Sequence, residues 1–168
     1  MNKVYRITGL LLLMASCVGL DQVTKSVARA NLKGAGPISI LWDSFRLQYS
    51  ENPGAFLSLG ARFSPETRFW LLTVVVGAFL IFTLIYLFFS TRLNTLSTLG
   101  LTLIAGGGLS NLLDRAMRTE GKVVDFMNVG IGSLRTGIFN FADMAILLGV
   151  TLMMIQSAEK PKENGNNH

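Results

Sequence analysis

The chain has 168 residues, 50% of them hydrophobic, and a mean hydropathy of +0.46, which fits one domain and excludes an ordinary soluble core. Its net charge of +5 suits contact with anionic lipid headgroups, and no basic run with interleaved aromatics points to nucleic acid. The only histidine is His168 and the only cysteine is Cys17, so there is no Ser-His or Cys-His pair and no zinc set, and neither metal nor cofactor is expected.

In chain order, the first apolar run is Ile7–Leu20, which reaches spanning length only by continuing through Asp21 toward Ala28. Lys3 and Arg6 ahead of it, and Met14-Ala15-Ser16-Cys17 within it, resemble a secretory signal with a lipoprotein-type cleavage site. A retained helix is the preferred reading, because Asp21, Thr24 and Lys25 continue a helical period and three more spans follow. Cys17 is then a small core residue in mid-span. The loop 29–68 contains Ile38–Tyr49, whose partial alternation of β-branched and aromatic residues predicts a strand. Ser64-Pro65-Glu66 supplies an N-cap, a proline at the first helical position and an acidic first turn. Span two, 69–89, carries no charge at all, and span three is 96–113. The loop 115–137 includes a second strand segment, Lys122–Val129, and span four is 138–156. The tail Glu159–His168 is polar and is expected to be disordered. The whole reads as one integral-membrane, mainly α domain of four transmembrane helices with a small sheet at the membrane surface.

Two copies of one polar spacing, Asn111 to Asp114 and Asn140 to Asp143, end span three and open span four. Residues three apart share a helix face, so each Asn lies beside its Asp, and both carboxylates fall on one side of the bilayer. With span four starting at residue 138, Asp143 sits roughly 7 Å inside it at 1.5 Å per residue. A carboxylate at that depth is costly unless paired, which marks a functional site, with an Asn-Asp-Arg cluster that merely joins helices as the alternative. Two close carboxylates in a low-dielectric pocket share a proton, one acting as base toward water and the other as acid toward a carbonyl. That is the chemistry of aspartic peptide-bond hydrolysis. The other readings are a small proton- or ion-coupled transporter with the carboxylates as relay, and a noncatalytic lipoprotein-binding factor.

Five motifs in sequence sharpen the choice: Asp21-Gln-Val-Thr-Lys25, Asn52-Pro-Gly54-Ala55, Gly106-Gly-Gly-Leu-Ser-Asn111-Leu-Leu-Asp114-Arg115, Val123-Val-Asp125-Phe126 and Phe139-Asn140-Phe-Ala142-Asp143. Together they resemble the lipoprotein signal peptidases, signal peptidase II, over essentially the whole chain. The resemblance implies four transmembrane helices with an extracytoplasmic β-cradle in a bacterial inner membrane. The implied substrate is a prolipoprotein whose cysteine already carries diacylglycerol, cut N-terminal to that cysteine by a monomeric enzyme surrounded by membrane lipids. It implies Asp114 and Asp143 as the catalytic pair. Asn111, Asn140 and Arg115 orient them, Asn52 and Gly54 hold substrate, and Asp125 supports the site. Asp21 and Lys25, four apart with the acid first, read as a supporting ion pair. Both termini are placed in the cytoplasm on the same ground. Charge counting opposes this, with Lys3, Arg6, Arg92, Lys160 and Lys162 inside and the other ten basic residues outside, although long loops translocate largely regardless of charge. The chain departs from the family pattern at Phe56 and Leu57 after Ala55, and at Gly108 and Ser110, where Ala and Gly are usual; these changes are expected to affect the substrate loop and lipid fit.

Overall fold

The computed structural model describes residues 3–158, so the tail from Glu159, with Lys160, Lys162 and His168, lies outside the described residues. Four helices are long and apolar enough to cross a membrane: α1 (Lys3–Leu32), α2 (Pro65–Phe89), α3 (Thr95–Met117) and α4 (Phe141–Ala158). α1 runs well past the expected 7–28, because Lys25 is neutralised inside the bundle and the helix continues until Ala28 and Leu32 pack on the sheet. α2 starts as read, with Ser64 Oγ accepting from the Thr67 amide at 3.2 Å and Pro65 at the first position. Its first turn passes into a π-helical stretch, Phe69–Val75, before regular α-geometry resumes. α3 is capped by Asn94, whose Oδ1 accepts from the Ser97 amide at 2.8 Å.

Between α1 and α2, and again between α3 and α4, the chain builds one antiparallel sheet in the order β1 (Ile38–Ile40), β2 (Phe45–Asn52), β3 (Val123–Ile131), β4 (Leu134–Arg135). The single strand expected over 38–49 is divided by a turn at Leu41, Trp42 and Asp43, all with positive φ, which folds β1 back on β2. β2 gains one residue on β3 between Leu47 and Ser50, a bulge that puts Ser50 opposite Asp125 and Asn52 opposite Val123. Residues Val123 to Asn128 are buried in unbroken succession, so β3 is covered on both faces. Phe139 pairs with Met127 through amides at 2.8 and 2.9 Å and holds the chain extended there. α4 therefore begins at Phe141, not 138, and Asp143 lies in its first turn at the sheet end of the bundle instead of deep in the span.

Three consecutive glycines set the helix packing. Successive helical residues point about 100° apart, so Gly106, Gly107 and Gly108 face three different helices. A Cβ at Gly106 would lie 2.9 Å from Cys17 Cβ on α1, one at Gly107 would lie 2.4 Å from the Ala142 carbonyl on α4, and one at Gly108 would lie 2.6 Å from Leu80 on α2. Further along α3 and α4, Gly100 and Gly149 meet backbone to backbone. Small residues bring helices together where lipid offers no hydrophobic drive. Cys17 is thus an interface residue, and at Gly108 the side chain of Leu80 occupies the space that an alanine methyl would need. The half of the bundle away from the sheet is filled by Leu10, Met14, Leu87 and Ala105.

Candidate active site

All five motifs meet where α1 and α3 end, α4 begins and β2 and β3 cross. Their polar side chains form two connected clusters.

The first is centred on Lys25, which is 0% exposed, as is Asp21. Its ammonium reaches Asp21 Oδ2 at 2.6 Å, Asp114 Oδ2 at 3.0 Å and Asn111 Oδ1 at 2.9 Å, so each of its three hydrogens has an acceptor. The i,i+4 pair read from the sequence is present, with a second carboxylate added to it. Asp21 also accepts from Ser110 Oγ at 2.7 Å and from the Ala142 amide at 2.9 Å, which fastens α1 to α3 and to the start of α4. Ser110 further accepts from Gln22 Nε2 at 2.9 Å, so this departure from the family pattern adds hydrogen bonds between α1 and α3. Asp114 accepts from Gln22 Nε2 at 3.1 Å and from the Val124 amide at 3.1 Å, and Arg118 Nε lies 3.0 Å from its other oxygen. Between two cations, an amide and a backbone N–H, both oxygens of Asp114 are committed to joining α1, α3 and β3.

The second cluster is centred on Asn140. Its backbone and side chain make a capping box with Asp143: the Asp143 amide donates to Asn140 Oδ1 at 2.9 Å, and the Asn140 amide donates to Asp143 Oδ2 at 3.2 Å. The Asn140 amide group donates to Asp125 Oδ1 at 2.6 Å and lies 3.2 Å from Asn111 Oδ1. Asn111 turns its own Nδ2 to Asp143 Oδ1 at 2.9 Å, linking the two clusters. Asp125 takes its other bond from Asn52 Nδ2 at 2.9 Å. It is 1% exposed and receives side-chain bonds from neutral amides. Burial, and after it the charge of Asp143, push its pKa up to about 7. Asp125 and Asp143 are thus linked through Asn140 as well as by charge. Asp143 is 7% exposed and opens on an apolar cavity of about 220 Å³ lined by Leu57, Val129, Phe139, Met144 and Leu147.

Among the described residues Arg115 forms no ion pair with a carboxylate. It donates to the Gly54 carbonyl at 2.6 Å and the Asn111 carbonyl at 3.3 Å. Gly54 N–H donates to Asn52 Oδ1 at 2.8 Å, so the donors of Asn52 and Gly54 bind within the protein. They shape the loop. A Cβ at Gly54 would lie 2.5 Å from the Leu59 carbonyl, where Ala55 N–H bonds at 2.7 Å. The loop then crosses toward the segment before α4, where a Cβ on Gly137 would lie 3.1 Å from Leu57 Cα. Leu57 and Ser58 have φ of 54° and 64°, a conformation costly for side-chain-bearing residues.

The chain is similar to known proteins in sequence and in fold. The family described as Signal peptidase (SPase) II matches residues 13–159. The lipoprotein signal peptidase of Pelodictyon phaeoclathratiforme is 39% identical over 147 residues, covering 82% of this chain and 83% of the relative. That of Solibacter usitatus is 34% identical over 148 residues, covering 88% of each. Two bacterial membrane enzymes solved by the in meso method superimpose with a TM-score of 0.75. One is 23% identical and covers 96% of both chains; the other is 25% identical and covers 92% of this chain and 96% of its own. With four spanning helices, a small antiparallel sheet and a family match across nearly its whole length, the chain is a multi-pass membrane peptidase that belongs to the signal peptidase II family.

Proposed function

We propose that the protein is an aspartic endopeptidase that removes signal peptides from diacylglyceryl-modified prolipoproteins, cutting N-terminal to the lipidated cysteine, with Asp125 and Asp143 as the catalytic pair. The observation that carries this reading is the contrast between two buried acids. Asp114 lies between Lys25 and Arg118, whereas Asp125 is bonded by neutral amides and coupled to Asp143 beside an apolar cavity. An acid held by two cations is a poor base, while one whose pKa lies near 7 exchanges a proton readily at neutral pH.

In this mechanism the pair holds one proton. The ionised member takes a proton from water as its oxygen attacks the scissile carbonyl, and the protonated member gives its proton to the carbonyl oxygen. Collapse of the tetrahedral intermediate breaks the C–N bond: the amine of the lipidated cysteine leaves with the proton taken from water, and the new carboxyl group returns the other proton to the pair. Asn140 and Asn111 fix Asp143, Asn52 and Asn140 fix Asp125, and Arg115 holds the Gly54 loop beside them. Apolar residues of the substrate lie in the cavity next to Asp143. The site end of the bundle faces the extracytoplasmic side and both termini the cytoplasm, since a signal peptide's cleavage point follows its apolar stretch and so emerges at the outer surface. A proton or ion relay would need titratable groups along the bundle, yet among the described residues the buried side chains of its other half are the apolar Leu10, Met14, Leu87 and Ala105 and the hydroxyls of Thr83, Ser97 and Thr102.

The test is to incubate the purified protein with a prolipoprotein carrying diacylglyceryl-cysteine and, separately, with its unlipidated form. Mass spectrometry should find a mature chain beginning at the lipidated cysteine in the first case only. No cleavage, or equal cleavage of both forms, refutes the assignment.

A further inference from the structure

Next to the site lies a second cavity of about 230 Å³, which shares no lining residue with the apolar cavity beside Asp143. Arg68, from the first turn of α2, and Arg115, from the end of α3, both line it. The Nε atoms of both are out of contact with solvent and have no acceptor among the described residues. Neither residue forms an ion pair among the described residues, so both guanidinium groups are left to meet a ligand that supplies oxygen atoms. Among the described residues, Arg68 is held through Nη1, which donates to the Ala61 carbonyl at 3.1 Å, and Arg115 through its bonds to Gly54 and Asn111.

The remaining wall indicates what carries those oxygens. Phe69, Leu72 and Thr73 belong to the π-helical stretch that opens span two, so the cavity's floor is apolar and continues into the membrane segment. π-helical segments gather at functional sites because they realign side chains that a regular helix would turn elsewhere. The cavity's one acid, Glu120, is already ion-paired with Lys122 at 2.6 Å. Two guanidinium groups above an apolar floor at the membrane boundary match a phosphate joined to acyl chains.

We propose that this cavity binds a phosphate group between the guanidinium groups of Arg68 and Arg115, with a phospholipid headgroup as its bearer. The site does not depend on the chemistry of Asp125 and Asp143. Because Arg115 also holds the Gly54 carbonyl, occupancy steadies the loop that crosses the carboxylate site.

The test uses the full chain in a neutral detergent, with lipid retention read by native mass spectrometry and thermal stability by circular dichroism. Phosphatidylglycerol should be retained and should raise the melting temperature, whereas diacylglycerol, which lacks the phosphate, should do neither. Arg68→Gln should weaken retention about tenfold or more, the scale of one charge-assisted bond, while Arg62→Gln, outside the cavity, should not. Glu120→Gln should strengthen it, which keeps the proposal testable if Arg68→Gln fails to fold. Arg68-dependent protection by inorganic phosphate equal to that by the lipid would keep the anion site and overturn the lipid as its bearer. Equal retention of phosphatidylglycerol by wild type and Arg68→Gln, or an unchanged affinity in Glu120→Gln, would overturn the site itself.

Discussion

Lys25→Met tests whether the first cluster is structural. Methionine keeps an unbranched stem of similar length and removes the ammonium that serves Asp21, Asp114 and Asn111. Asp114 retains Arg118 at 3.0 Å, but Asp21 is left fully buried with only Ser110 and the Ala142 amide as donors. Breaking a buried pair from one side costs about 3–5 kcal/mol, mostly the penalty of the stranded charge. For a chain of this size each kcal/mol moves the midpoint by roughly 2–4 °C, so the melting temperature in detergent should fall by roughly 10 °C, as read by circular dichroism. Adding Asp21→Asn removes the stranded charge and should recover part of the loss, so that the double variant is more stable than the sum of the single ones implies. A Lys25→Met protein that melts within about 2 °C of wild type would refute the reasoning.

The glycine packing predicts opposite outcomes at neighbouring positions: Gly107→Val drives a side chain into the Ala142 carbonyl and should prevent recovery of folded protein, whereas Gly108→Ala meets the movable end of Leu80 and should be tolerated, both read by yield on size-exclusion chromatography. Asp125 has a folded pKa of about 7, above its unfolded value, so the folded state binds the proton more tightly. Its contribution to stability is full below the unfolded pKa and is lost as pH rises through about 7, and thermal scans at pH 5 and pH 8 should show a fall that Asp125→Asn removes. Leu147→Trp fills the cavity beside Asp143 and should raise KM for the lipidated substrate with little change in kcat; unchanged kinetics would place the substrate elsewhere.

The four spans were legible because their apolar runs are long and almost uninterrupted, and the capping signal at Ser64-Pro65 was local and unambiguous. The start of α4 was not, since Phe139 is held extended by pairing with Met127, a contact distant in sequence. The repeated Asn-x-x-Asp spacing looked like one device used twice, yet it is a capping box at Asn140–Asp143 and a lysine-bridged helix contact at Asn111–Asp114. Spacing reports which residues share a helix face and says nothing of the partner across from it. The surroundings of Asp125 were not legible for a related reason. In a half-buried strand a lone acid points to solvent, but β3 is covered on both faces, and the available hint was an acid set among Val123, Val124, Phe126 and Met127. Arg115 beside Asp114 in sequence suggested a direct pair, although adjacent helical residues diverge by about 100° and its guanidinium reaches Gly54 instead.

The choice of catalytic pair is tested most directly by single-turnover cleavage of a diacylglyceryl-modified prolipoprotein by Asp114→Asn, Asp125→Asn and Asp143→Asn, each with its melting temperature and substrate affinity measured. Asp125→Asn and Asp143→Asn should bind substrate and melt no lower than wild type yet lose about a thousandfold or more in rate, with the double variant scarcely slower than either. Asp114→Asn should lose stability and keep its chemical step in the folded fraction. Near-normal cleavage by Asp125→Asn, or loss of turnover in Asp114→Asn at an unchanged melting temperature, would contradict the assignment.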